Sequence, residues 1–594
     1  MTQLGMRRQR PFPRTYKGFH VVRSHGRVYA IPCCLEEGEC RCSRRPPQAP
    51  VLSASTTQEL EALLGDFDTT RHQPRPVASY EGYNLVRHRG TIYGVPQVAG
   101  PVDVSQEEQR RRAGVISGET CQKVQELIRS ALDAVPIEFA GWLPIYEASG
   151  NCGRHPQFTH TAKPPQGYRF TCSAPPRRHG ASRWQRLVRR LIKSVSRRAV
   201  VLWLLIRLPC SVLGGGAGFA PRARLRALVA MVRLFFLLVC RGARVGAVLR
   251  FLRSRHHQSQ VLLAPHRGLI FFPSMPFTYG QNPWVVEIED AATLFCPFVA
   301  NGQTSDLQLV DSPYFPIVKT LLESDECKAI VTHMQSTARM LPVLFGSDTI
   351  RAKVCYTPLG VKPAGRWQCH EESEHLHLLF TTSWHQKPSS FYVRGGLDVL
   401  EAFAILHERY PHLRLTLRTN LPPLDDHYHR IIEQGWVRII NRFLSAEEME
   451  TLLADSHVFL LPAARVHIVS LLEAMSHGLV VVTSDGWGFE EYVAHERNGV
   501  IVKGRYGKVS WADEKAGMLR EDYEPMLTCD PTVVDGLVAA VSGLVEDRDL
   551  RQRLGRTARL DVQTTYSLQR WNRGLKEALD QALAPTSRPR HTAG

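Results

Sequence analysis

An α/β chain with a parallel sheet is the fold this sequence predicts for its second half, within a longer chain whose organisation rests on three observations. From about residue 257 short apolar strands alternate with helices, residues 16–32 recur at 80–96, and the intervening chain holds a long block without acidic residues. At 594 residues several folded units are required. The expected division is a basic tail (1–15), two small repeated hairpin-plus-helix modules (16–66 and 80–133) and a loop-rich connector (134–176). Basic amphipathic helices (177–256), a short α/β lobe (257–352) and a larger α/β lobe (353–585) follow.

The repeat reads YKGFHVVRSHGRVYAIP in its first copy and YEGYNLVRHRGTIYGVP in its second, with Tyr16/Tyr80, Gly18/Gly82, Val22/Val86, Arg23/Arg87, Gly26/Gly90, Tyr29/Tyr93 and Pro32/Pro96 matched without a gap. Each copy is an aromatic and β-branched strand, a glycine turn and a second strand ended by proline, which is a hairpin pattern. Helical spacing follows each, through Leu60, Leu63 and Leu64 in TTQELEALLGDF and again in CQKVQELIRSALDAV. Two readings stand open: binding modules whose exposed aromatics stack on a target, or adaptors whose aromatics fill their own small cores.

Charge is unevenly placed. The net charge is +18, yet the chain between Glu147 and Glu287 holds no acidic residue and 23 of the 74 Lys and Arg residues, so the rest is slightly acidic. Such a block is a footprint for an anionic partner. In RWQRLVRRLIKSVSRRAVVLWLLIRLP, Leu187, Leu191, Val195 and Ala199 share one helical face while Arg186, Arg190, Lys193 and Arg197 oppose it. The run RALVAMVRLFFLLVC (226–240) is broken by Arg233, and neither run has the roughly 20 uninterrupted apolar residues of a membrane-spanning helix. Basic, tryptophan-bearing amphipathic helices of this kind lie on anionic membrane surfaces, and the alternative is a basic helical hairpin packed inside the protein. Runs of Leu, Val and Phe, in place of isolated stacking aromatics, argue against nucleic acid.

No secretory signal is read at the start, because Met1 to Lys17 is basic and polar, and the expectation is a cytoplasmic protein, peripheral on a membrane at most. The 14 cysteines are accordingly read as thiols. Two groups could close a structural zinc site, Cys33, Cys34, Cys40 and Cys42, and Cys152, His155, His160 and Cys172, but neither has a standard paired spacing and no metal is assigned.

In the second half the strands are expected at 269–272, 284–289, 329–333, 377–382, 413–419, 437–441, 457–462 and 479–484. Helices are expected at 396–410 and 445–456, the latter opened by the capping box of Ser445 and Glu448. The alternation predicts a doubly wound sheet with its ligand beyond the carboxyl ends of the strands. In the shorter lobe those ends place Glu289, Asp290 and His333 on a cleft, which makes Glu289 and His333 the candidate catalytic groups.

The segment RFLSAEEMETLLADSHVFLLPAARVHIVSLLEAMSHGLVVVTSDGWGFEEYVAHERNGVIV resembles the donor domain of retaining GT-B glycosyltransferases, the group that includes sucrose synthases and bacterial mannosyltransferases. CYTPLGVKP (355–363) resembles the entry into that domain, and VRGGLDVLEAFAILHERYPHLRLTL its first strand-to-helix unit. The resemblance implies a GT-B pair of Rossmann-type lobes, a nucleotide-sugar donor and transfer with retention of configuration. It further implies no required metal, and a glycan or lipid-linked acceptor.

Residue by residue, the resemblance implies a ribose contact at Glu473, the second glutamate of a Glu, seven residues, Glu pattern. Position 465, where the first belongs, is Arg465, a departure at the residue that would touch the donor sugar. Gly486, Gly488 and Glu491 resemble the glycine-rich turn whose amides approach the diphosphate or sugar. Arg394 before Gly395 resembles the basic residue that neutralises the leaving diphosphate, with Lys387 as a weaker candidate. Members of the group usually carry His near position 289, so Glu289 is a second departure.

Overall fold

The computed structural model describes strand residues within 15–32 and 52–54, most of 75–139, and residues 163–171, 221–254, 268–273, 282–295, 308–365, 375–382, 388–442 and 444–584. The chain forms two compact units, residues 1–134 and 135–594.

In the first unit each repeat builds a four-stranded antiparallel sheet. β1 (Thr15–Tyr16), β2 (Phe19–Ser24), β3 (Arg27–Pro32) and β4 (Leu52–Ala54) form one, and β5 (Arg75–Tyr80), β6 (Tyr83–His88), β7 (Thr91–Pro96) and β8 (Ile116–Gly118) the other, in chain order. The central hairpins share a register, with Phe19 opposite Pro32 and Tyr83 opposite Pro96. Both turns of the second copy are two-residue turns with positive φ at each position, Glu81–Gly82 and Arg89–Gly90. This backbone matches the twist of paired strands, and glycine adopts it without strain. A single hairpin was expected; the added outer strands are too short or too polar to register as a period.

Helix α1 (Cys121–Asp133) covers the second sheet, and Leu85, Ile92, Val124 and Ile128 form its core. A methyl group on Gly94 would sit 3.0 Å from the Ile128 side chain, so glycine there lets the helix approach. Tyr80 and Tyr83 pack on that core, and Arg129 donates to the Tyr80 hydroxyl at 2.7 Å. In this module the aromatics serve the interior. The helix expected after the first copy lies outside the described residues, as do both cysteine and histidine groups and the helix expected over 183–209.

The second unit holds two six-stranded parallel sheets. The first has the order β10-β9-β11-β12-β13-β14, built from β9 (Val135–Phe139), β10 (Tyr168–Thr171), β11 (Ile270–Pro273), β12 (Trp284–Ile288), β13 (Cys327–Thr332) and β14 (Val354–Tyr356). The expected connector therefore contributes two strands, and β14 belongs here and not to the larger lobe. The connector's proline and glycine obscured β9 and β10, whose short apolar runs carry no period of their own.

Helices α2 (Pro221–Cys240) and α3 (Val245–Ser254) come from the basic block and pack on this sheet. Met231, Leu234, Leu238, Val248, Phe251 and Leu252 join Ile270, Phe272, Trp284 and Val286 in one core. The alternative of a packed basic hairpin thus describes the inner face of 226–254. No helix among the described residues is long and apolar enough to cross a membrane. α4 (Phe315–Glu323) and α5 (Gln335–Phe345) complete this lobe.

The second sheet has the order β17-β16-β15-β18-β19-β20, the doubly wound 3-2-1-4-5-6 arrangement. Its strands are β15 (Leu376–Thr381), β16 (Leu413–Arg418), β17 (Val437–Ile439), β18 (Val458–Leu461), β19 (Val480–Ser484) and β20 (Gly499–Val502). Buried on both faces, they read as nearly unbroken apolar runs, which is why they were legible. α6 (Gly396–Arg409), α7 (Ala446–Ala454) and α8 (Ile468–Ser476) alternate with them, and the Ser445–Glu448 capping box is present.

The hairpin of β21 (Ser510–Asp513) and β22 (Met518–Glu521) reaches the first lobe, where Met518 enters its core. After α9 (Pro531–Glu546) and α10 (Arg548–Thr564), α11 (Leu568–Leu583) returns to that lobe too. Its Trp571, Leu575 and Leu579 share a core with Val285 and Val331, and the Tyr168 hydroxyl donates to Asp580 at 2.5 Å. Replacing Phe251, which is fully buried, by alanine is expected to destabilise this lobe by about 3–5 kcal/mol, measured by chemical denaturation. A change under about 1 kcal/mol would contradict the packing of the basic block in this core.

Candidate active site between the two lobes

The carboxyl ends of the two sheets meet at Arg465. Its loop follows β18, and Val466 N–H donates to the Trp487 carbonyl at 2.9 Å, which fixes the loop beside the turn after β19. The guanidinium lies over the Trp487 ring and reaches the first lobe: it pairs with Glu289, with Asp290 at 2.6 Å, and with Glu521 of β22 at 3.4 Å. Glu289 also faces His333, 3.7 Å from its Nε2, while His333 Nδ1 lies 2.6 Å from Glu287.

These charges tune one another. Burial opposes ionisation of Glu289, but the Arg465 and His333 charges overcome it and hold the carboxylate well below its ordinary range. Burial likewise opposes the charged form of His333, and Glu287 and Glu289 outweigh it, raising the imidazole to about 9. Burial raises Glu521 despite Arg465. Arg465 and Glu289, the two positions at which the sequence departs from the pattern it resembles, are thus ion-pair partners.

This geometry corrects the catalytic expectation for His333. Its side chain has no exposed surface, so it buttresses Glu289 and cannot touch an acceptor. Glu289, 28% exposed, remains reachable, but a carboxylate held so firmly ionised is a weak proton acceptor near neutrality.

The expected donor residues divide. Glu491 also spans the lobes: its carboxylate accepts from Gln335 N–H at 2.5 Å and from Ser336 N–H at 2.9 Å, capping α5, and from Ser336 Oγ at 2.6 Å. Its oxygens satisfy a helix start instead of facing a ligand. Gly486 and Gly488 do permit close approach, but of protein: a side chain on Gly486 would strike the Ala463 and Ala464 carbonyls, and one on Gly488 the Met334 side chain. The Gly486 amide donates to Ser484 Oγ and the Gly488 amide to Glu490, so the turn is closed upon itself. Gly395, at φ +78°, abuts the Pro462 carbonyl. Arg394 is 3% exposed and donates to the Thr381 carbonyl at 3.2 Å, holding the loop after β15 in place of presenting an open cation. Lys387 lies outside the described residues.

Glu473 falls in the second turn of α8. Burial lowers the pKa of Arg418 below its ordinary value and the Glu473 charge offsets part of that shift; Arg418 closes β16 and donates to the Thr382 carbonyl at 2.7 Å. Arg418 Nε is buried without a hydrogen-bond partner among the described residues. Arg418 was missed, although its signal was present: a basic residue ends the apolar strand LRLTLR at its ligand-facing end. Arg418 and Glu473 offer a cation for phosphate and a carboxylate for a diol at the carboxyl edge of the second sheet.

Two outcomes follow. Arg465→Ala would leave three carboxylates without their cation and is expected to cost about 3–5 kcal/mol, read by denaturation as a weakened junction of the lobes. Because the His333 pKa is raised from 6.5 to about 9, its contribution is complete below pH 6.5 and lost as pH rises through 9. The stability gap between wild type and His333→Asn should therefore shrink across that interval by on the order of 2 kcal/mol. A gap independent of pH would mean that His333 carries no charge in the folded protein.

No curated protein sequence matches the chain. Among solved structures it is similar to a glycosyltransferase from Rickettsia africae at 15% identity, over 63% of this chain and 84% of that one, with TM-score 0.34. It is similar to a sucrose-phosphate synthase from Thermosynechococcus elongatus at 14%, over 62% and 81%, with TM-score 0.35. An Anabaena protein solved in complex with UDP and glucose matches at 12%, over 55% and 81%, with TM-score 0.36. Residues 388–520, from just past β15 into β22, match the family described as glycosyl transferases group 1, and the match assigns that domain to under a quarter of the chain.

Proposed function

We propose that the chain is a glycosyltransferase that binds a nucleotide sugar on the 388–520 domain and transfers the sugar to an acceptor held by the preceding lobe. The carrying observation is that the matched segment supplies Arg418 at the carboxyl end of β16 and Glu473 on the helix after β18, near enough for the Glu473 charge to act on Arg418, in a doubly wound sheet. In this reading Arg418 meets the diphosphate and Glu473 the ribose, while Glu289 faces the acceptor with His333 behind it. Departure of the diphosphate is assisted by fixed cations and helix amides, with no metal and with retention of configuration. The acceptor is a glycan or a lipid-linked sugar.

One observation favours a second reading, a non-catalytic binding protein on a degenerate transferase scaffold. Arg465 fills the place of the sugar-facing carboxylate and is already engaged by three acidic side chains.

Calorimetric titration with UDP, GDP and ADP separates the outcomes. One nucleotide is expected to bind wild type, and to bind Glu473→Ala and Arg418→Ala at least about tenfold more weakly. Absence of binding by all three would remove the donor assignment. Binding without hydrolysis or transfer of the matching nucleotide sugar would establish the second reading instead.

A further inference from the structure

The helix α2 has two apolar faces, and among the described residues the lobe uses only one. Met231, Leu234 and Leu238 are buried in the core. On the opposite side, where a helix of a soluble protein carries polar residues, Val229, Val232, Phe236 and Leu237 are exposed, Phe236 to 60%. Val245, at the start of α3, is exposed as well. Arg233 lies within this stripe, and Arg241, Arg244 and Arg250 are exposed just beyond it.

No acidic residue offsets these arginines in the surrounding sequence from 148 to 286. The neighbouring α4 adds Lys319 and Glu323, which pair at 3.9 Å and leave no net charge.

We infer that this outer face of α2, with the arginines of the turn into α3, docks on an anionic lipid surface. Aliphatic and phenyl side chains bordered by arginine suit the boundary between acyl chains and headgroups: the apolar groups enter the hydrocarbon edge while guanidinium groups stay with phosphate. A second copy fits the face poorly, because a two-fold pairing would set arginine against arginine with no acidic partner. No described helix is suited to cross the bilayer, so the contact is interfacial. The inference stands apart from the donor site and holds or fails independently of transferase activity.

The test uses the full chain and phosphatidylcholine vesicles with and without phosphatidylglycerol, with sedimentation as the readout. Wild type is expected to sediment with phosphatidylglycerol vesicles, and less so as salt rises. Val232→Asp combined with Phe236→Asp, and Arg241→Glu combined with Arg244→Glu, should each lower partitioning by about tenfold or more. All four side chains are exposed, so melting temperatures should match wild type and separate lost docking from lost folding.

Failure of wild type to bind phosphatidylglycerol vesicles would overturn the inference. So would equal binding by the variants, which would move the contact elsewhere on the chain. A dimer dissolved by the Val232→Asp and Phe236→Asp pair, without vesicle binding, would identify a second copy as the occupant.

Discussion

One guanidinium holds the facing ends of the two sheets together. Parallel strands gather polar side chains at their carboxyl ends, and here those ends bring Glu289 and Asp290 of one lobe toward Glu521, on a hairpin of the other. Three carboxylates so placed repel one another unless a cation lies among them. Arg465 is that cation, and its planar fork can serve several oxygens at once where a lysine would serve fewer. A buried ion cluster contributes little net stability compared with an apolar core, but removing one member leaves charges stranded. The cluster therefore specifies how the lobes meet more than it strengthens either one.

The rest of the junction is arranged around this choice. Glu491 caps α5 from the opposite lobe, Tyr492 donates its hydroxyl to the His333 carbonyl, and the hairpin of β21 and β22 packs against α5. Each of these contacts uses a group that could otherwise face a ligand. Arg418, at the carboxyl end of β16, takes no part in these contacts. The ion pair between Arg465 and Glu289 keeps the two lobes complementary.

Much of the fold was legible from local pattern. Strands buried on both faces appear as short apolar runs, so β11 to β13 and β15 to β19 were readable apart from their ends. The capping box at Ser445 and the glycine turns of the repeat were legible for the same reason, since each is decided by a few adjacent residues. β9, β10 and β14 were not, because their place in a sheet depends on partners distant in sequence. α2 shows the same limit: its apolar run announced burial but not which face would be buried, and among the described residues one face has a core while the other has none.

Of the candidate site, sequence alone determined the residue types and their order: Glu289 and His333 at strand ends, Arg465 eight residues before Glu473, and a basic block without acidic residues. Only tertiary structure decided that Arg465 and Glu289 are partners, that His333 is sealed behind Glu289, that the glycine turn and Glu491 are spent within the protein, and that the Glu473 charge acts on Arg418. The reason is physical. A residue's type sets what charge or hydrogen bond it can offer, but its burial and the groups that reach it from elsewhere in the chain decide what remains for a ligand.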